Sequence, residues 1–315
     1  MRFVWLLVGL LSLAGCRKQV EPQNSAGAQV AGAADTGRLI RTDSQATGQP
    51  AVRDYVGFDR NLYPGDDRLA ELHRSFAFAG FWLNAPPGET TNTWAGKRAE
   101  LQDAGFGFLV LANGRLDAQI RSTRMSAGAL GRQDAVEAIA AAKREGFPDH
   151  TLIFLDQEEG GRLLPEQAAY FFGWTEAVAG SQYRAGAYLS GQASPDGSGP
   201  DGKPLTITTA QDVREQSVKQ RLRPVIFWVQ QDACPPAPGC TLAAPPVAAS
   251  GTSDALVWQY AQTPRRPELT RACAATYAPD GNCYAGATED LFLDLNVAKS
   301  PDPSSGRLGG RSGGK

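Results

Sequence analysis

Between residues 55 and 296 the chain alternates short, almost wholly apolar runs with longer stretches of helical periodicity. The apolar runs fall at 55–59, 78–84, 107–112, 151–156, 185–190, 224–230, 255–260 and 291–296. Continuous apolarity over five to seven residues predicts strands buried on both faces, as in a parallel sheet. Between the first six runs lie helix candidates at 66–75, 93–104, 132–145, 165–178 and 209–221. The third is Ala-rich and stops at Gly146, the fourth carries Pro165 in its first turn, and the fifth is led by a Thr cap. The last two connections hold Pro- and Cys-bearing loops instead of helices. Strand–helix alternation predicts an α/β domain, and eight strands predict a closed TIM-type barrel with about five main helices and long late loops. A doubly wound sheet is disfavoured, because no G-x-G-x-x-G follows the first run. Residues 197–203 fit G-x-x-x-x-G-K, but Pro204 stands where a P-loop needs Ser or Thr, so a nucleotide site is discounted.

In such a barrel, chemistry collects where the strands end. The first run ends at Asp59, the fourth ("TLIFLDQEEG") in Asp156 and Glu158, and the eighth ("LFLDLN") carries Asp294. Asp156 and Glu158 are two apart, which predicts a shared face; Glu159 points the other way and is the weaker candidate. Acids crowded into one pocket cannot all ionise freely, and a carboxyl with a raised pKa is what general-acid catalysis at neutral pH requires. Each acid alone reads more simply as a helix cap or an Arg partner. As a set at strand ends they point to glycoside hydrolysis. Rings and amides gather at the same ends: Trp82 and Asn84, Tyr188, Trp228 and Gln230, then Trp258, Gln259 and Tyr260. Flat rings with amides suit a sugar, so these are the candidate substrate-binding residues, although each ring alone reads as core.

Charge narrows the classes further. Against 33 Asp and Glu the chain carries 31 Lys and Arg, which is no basic surplus for a nucleic-acid partner. Of the two His, His150 precedes the fourth strand and His73 falls in a helix, so a Ser-His-Asp triad is not expected. No metal site and no cofactor are predicted.

The ends of the chain read as addresses and tethers. Arg2, an apolar run from Phe3 to Leu13 and small residues before Cys16 form an export signal over residues 1–15. "LSLAGC" resembles the lipobox of bacterial lipoproteins, which implies lipid on Cys16 and a membrane-anchored chain; Arg17 in place of Asp favours the outer membrane, facing the periplasm. Residues 16–53, poor in large apolar side chains, predict a flexible tether with a root-mean-square span of roughly 35 Å. Residues 54–298 form the predicted barrel, and 299–315, rich in Gly and Ser, a disordered tail. Four cysteines remain, Cys234, Cys240, Cys273 and Cys283, and in an exported protein they are disulfide candidates. Three connectivities are open; proximity favours Cys234–Cys240 with Cys273–Cys283.

"VGFDRNLYPG", "FLDQEEG", "YRAGAYLSG", "VWQYAQ" and "FLDLNVA", in this order, resemble family 25 glycoside hydrolases, the lysozyme-type muramidases. They are still more similar to bacterial glycoside hydrolase-like relatives, domain-of-unknown-function family 1906. The resemblance implies a barrel with eight strands and five main helices and a glycan substrate such as peptidoglycan. It also implies roles: Glu158 as general acid, Asp156 steadying the reacting 2-acetamido group, and Asp59 and Asp294 lining the pocket. The rival expectation is the same barrel holding an envelope glycan without cutting it.

Overall fold

The computed structural model describes residues 54–232, 245–263 and 291–307. The expected signal, tether and Cys16, the four disulfide candidates, and the end of the tail lie outside the described residues.

Eight strands close a barrel, confirming the expected architecture. They are β1 (Tyr55–Asp59), β2 (Phe78–Trp82), β3 (Gly107–Asn113), β4 (Leu152–Gln157), β5 (Arg184–Ser190), β8 (Ile226–Gln230), β9 (Ala255–Ala261) and β10 (Asp294–Ala298). The order around the barrel is β1-β10-β9-β8-β5-β4-β3-β2. From β1 through β9 the neighbours pair in parallel, but β10 runs antiparallel to both β9 and β1. This corrects the all-parallel expectation. The chain leaves β9 and enters β10 at the same rim, so no crossover separates them. Asp294 therefore reaches the active rim as the first residue of its strand rather than near its end.

Outside the barrel lie α1 (Leu69–His73), α2 (Arg98–Asp103), α3 (Asp117–Arg121), α4 (Ala127–Arg144), α5 (Pro165–Ala179) and α6 (Thr209–Gln220). Helix α3 and an exposed hairpin, β6 (Ser194–Ser198) with β7 (Pro204–Ile207), were not legible as elements in the sequence. The discounted G-x-x-x-x-G-K stretch is the turn of that hairpin, with Gly197 and Gly202 at positive φ. Local chemistry sets the helix ends: the Thr208 hydroxyl accepts from the Gln211 N–H at the start of α6, and Gly146, at φ 76°, follows α4. Helices α4 and α5 approach so closely that a Cβ on Gly131 would strike the Tyr170 carbonyl. Among the described residues no helix is long and apolar enough to cross a membrane.

The barrel floor is closed by residues that read as the start of a disordered tail. Ser304 wedges between the lower ends of β3 and β4: its N–H donates to the Phe108 carbonyl (2.9 Å) and its carbonyl accepts from the Leu152 N–H (2.8 Å). Its hydroxyl accepts from the Val110 N–H (2.9 Å), and Asp302 Oδ1 from the Phe108 N–H (2.8 Å). Arg98, stacked on Phe108 and Phe147, donates to the Gly306 carbonyl (2.7 Å). The folded unit thus extends at least to Arg307, because these groups satisfy strand amides that would otherwise be buried without partners.

Candidate active site

The four predicted acids converge at the rim where the parallel strands end. Asp59 closes β1 and lies directly opposite Asp294, which opens β10. Asp156 sits one residue from the end of β4, buried, and Glu158 follows just past it, exposed. Beneath them runs a web of amides. Asp59 Oδ1 accepts from Asn296 Nδ2 (2.6 Å) and Gln259 Nε2 (3.1 Å). The Gln259 amide also reaches Asp294 Oδ2 (3.4 Å), and its Oε1 accepts from the Tyr188 hydroxyl (2.8 Å). Trp228 Nε1 donates to Asn296 Oδ1 (2.9 Å).

Burial leads the electrostatics of the cluster. Burial pushes the Asp59 carboxyl up to about 6, against the opposing hydrogen bonds from Asn296 and Gln259, with the charge of Glu158 adding to the rise. Burial also lifts Asp156 well above the carboxylate range, reinforced by the charges of Glu158 and Asp59. Its Oδ1 is buried with no hydrogen-bond partner among the described residues. Asp294 is raised by burial first and by Asp59 next, while the Thr263 N–H bonded to its Oδ1 (2.6 Å) works the other way. Burial and mutual repulsion thus raise three carboxyls beside the exposed Glu158.

Two cavities open at Glu158. One, about 170 Å³, is lined by Glu158, Tyr188, Ser190, Gln230 and Gln262. The other, about 120 Å³, takes in Asp156 and Glu158 together with the start of the loop after β3. Of the predicted substrate-binding residues, Tyr188 and Gln230 line the first cavity. Trp82, Trp228, Trp258, Gln259 and Tyr260 are buried and line neither cavity. The indoles of Trp82 and Trp258 donate to the Arg60 and Gln231 carbonyls, and Trp228 packs on Tyr188 with ring centres 4.5 Å apart. Their place is the scaffold behind the acids rather than an exposed sugar platform. Asn84 is exposed but bridges to Asn113, donating to its carbonyl (3.1 Å) and accepting from its N–H (2.7 Å).

Glu159 behaves as its orientation predicts: Oε2 accepts from the Asp117 N–H at the start of α3 and from the Gln167 amide of α5. Sequence reasoning missed Asp232, buried just after β8. Its Oδ1 accepts from Gln230 Nε2 (2.8 Å) and Gln192 Nε2 (3.0 Å), and its charge helps raise Asp294. The signal was present as the acid two residues beyond Gln230. Among the described residues no group of three or more His, Cys, Asp and Glu is arranged to hold a metal ion.

A closed barrel with carboxyls crowded at its strand ends defines the class by architecture: a TIM-type barrel with an acid cluster at its rim. Residues 83–234 match the family model described as Rv2525c-like, glycoside hydrolase-like domain. The matched stretch, a little under half of the chain, includes Asp156 and Glu158. Among curated proteins none matches significantly. Solved structures similar to it include an uncharacterized Bacillus stearothermophilus protein, at 22% identity over 78% of this chain and 95% of that one, with a TM-score of 0.47. Another is the Tat-secreted protein Rv2525c of Mycobacterium tuberculosis, at 14% identity over 78% and 96%, TM-score 0.46. A third is the catalytic domain of endolysin ply40 from bacteriophage P40 of Listeria monocytogenes, at 13% identity over 80% and 98%, TM-score 0.42.

Proposed function

We propose that the protein is an envelope glycan hydrolase, tethered to the membrane through lipid on Cys16, that cleaves peptidoglycan or a related amino-sugar glycan. One observation carries this reading: exposed Glu158 and buried Asp156, with its unpartnered oxygen, line the same cavity. In the proposed reaction Glu158 gives its proton to the glycosidic oxygen as the bond to the anomeric carbon breaks. The carbonyl oxygen of the substrate's own 2-acetamido group attacks that carbon. Asp156 Oδ1 accepts from the acetamido N–H and so orients the amide for attack. Water, deprotonated by Glu158, then opens the cyclic intermediate and restores the acid. Asp59 and Asp294, held by Gln259 and Asn296, line neither cavity and brace the rim behind them.

Incubation of the protein with purified peptidoglycan tests the reading. Release of new reducing ends, with fragments whose masses place the cut after N-acetylmuramic acid, is the expected result. Retention on the glycan with no release over hours would make the barrel a binding module.

A further inference from the structure

A cavity of about 630 Å³ lies outside the barrel mouth. It runs between the ends of β2 and β3 and the flank of α4. Asp134, Glu137, Ala141 and Arg144 line it at i, i+3, i+7 and i+10, one face of α4, so it follows the helix for about 15 Å. It is continuous with the site: Asn113, Gly114, Arg115 and Gln119 line both this groove and the 120 Å³ cavity that holds Asp156 and Glu158.

Two guanidinium groups mark the two ends of the groove. Arg115, on the shared wall, is fixed: its Nε and Nη2 bond the two oxygens of Asp134 at 2.5 and 2.9 Å. Asp134 is itself held by the Tyr170 hydroxyl (2.8 Å). The fork is locked through one edge, so Nη1 stays available to a ligand without further ordering. Arg144, at the far end, is exposed and makes no ion pair among the described residues.

A plain polysaccharide of neutral sugars has no use for an oriented guanidinium beside the cut and a second one about 15 Å down a groove, with the Glu137 carboxyl between them to take a cationic group. A glycan carrying a short acidic peptide does. An extended chain advances roughly 3.3 Å per residue, so the groove accommodates four or five residues. We propose that the groove is a subsite for the acidic peptide substituent of the glycan, with Arg115 and Arg144 taking its carboxylates. The inference rests on the glycan-hydrolase reading and narrows its substrate to peptide-bearing strands.

The test uses the full chain with Glu158→Gln, so that binding is read without turnover. It compares peptidoglycan strands bearing their peptides with the same strands stripped by an amidase. Tenfold or more tighter binding of the peptide-bearing strands is expected. Arg144→Gln and Arg115→Gln should each remove most of that preference, and Arg144→Gln should leave affinity for stripped strands unchanged. Arg144 is exposed, so its replacement does not disturb folding; Asp134→Asn, which frees Arg115 without removing its charge, should weaken the preference only partly. Equal binding of both strands, or a preference that survives both arginine replacements, overturns the subsite while leaving the hydrolase reading standing. Binding of neither strand by any version overturns both.

Discussion

Asp59 shows how a single residue can be costly to the fold and useful to the site. Its carboxyl is buried against amide donors rather than a cation, and its pKa rises from 3.8 to about 6. The folded chain therefore holds a proton more tightly than the unfolded chain. The stability this contributes is complete below about pH 4 and is lost as pH rises through 6. A shift of about two units corresponds to about 3 kcal/mol. Asp59→Asn should accordingly stabilise the protein at pH 8 by up to about 3 kcal/mol, with the gain fading by pH 4. Denaturant unfolding at the two pH values checks this, and a gain independent of pH would refute the assignment of the raised carboxyl to Asp59. The acids themselves were legible in the sequence, since a polar residue ending an apolar run marks a strand end. The aromatic platform was not. Apolar patterning says that Trp82, Trp228 and Trp258 are at strand ends, but not that their N–H groups would be spent on internal acceptors. Asp232 stands two residues past its run, as Glu158 does, but its run ends in an amide, Gln230, rather than an acid, so nothing drew attention to it.

At the scale of elements, strand positions were readable and strand direction was not. Eight apolar runs became eight barrel strands, but nothing in "LFLDLN" distinguishes a strand entered from the top from one entered from the bottom. Asp294 was thus found for a reason the antiparallel β10 does not support. The segment after β10 was misjudged because Pro, Ser and Gly read as disorder, whereas Asp302 and Ser304 use their side chains to close open strand amides. Ser304→Ala and Asp302→Ala should each cost about 1–3 kcal/mol, read from the shift in thermal or urea unfolding. Unchanged stability in both would mean that the segment merely rests on the floor. Where α4 meets α5, Gly131→Ala gains helix propensity of about 1 kcal/mol, yet its methyl would strike the Tyr170 carbonyl. The net effect should be destabilising, by roughly 1–2 kcal/mol in the same assay.

As a whole, the molecule sets a rigid, closed barrel beneath a rim of carboxyls and extends the rim down one flank through the α4 groove. Among the described residues no cation contributes to the shifts of Asp59, Asp156 and Asp294, which come from burial and mutual repulsion. On the proposed reading that arrangement suits proton transfer to a leaving oxygen better than simple retention of a neutral glycan. The most direct measurement is therefore a comparison of the protein with its Glu158→Gln variant on purified peptidoglycan, following both new reducing ends and the fraction of protein bound. The account predicts that the variant loses at least a thousandfold in turnover, as loss of both the acid and the base step requires, while binding within a few-fold of the parent. Equal turnover by the two proteins, or a variant that loses binding and turnover together, would contradict Glu158 as the acid.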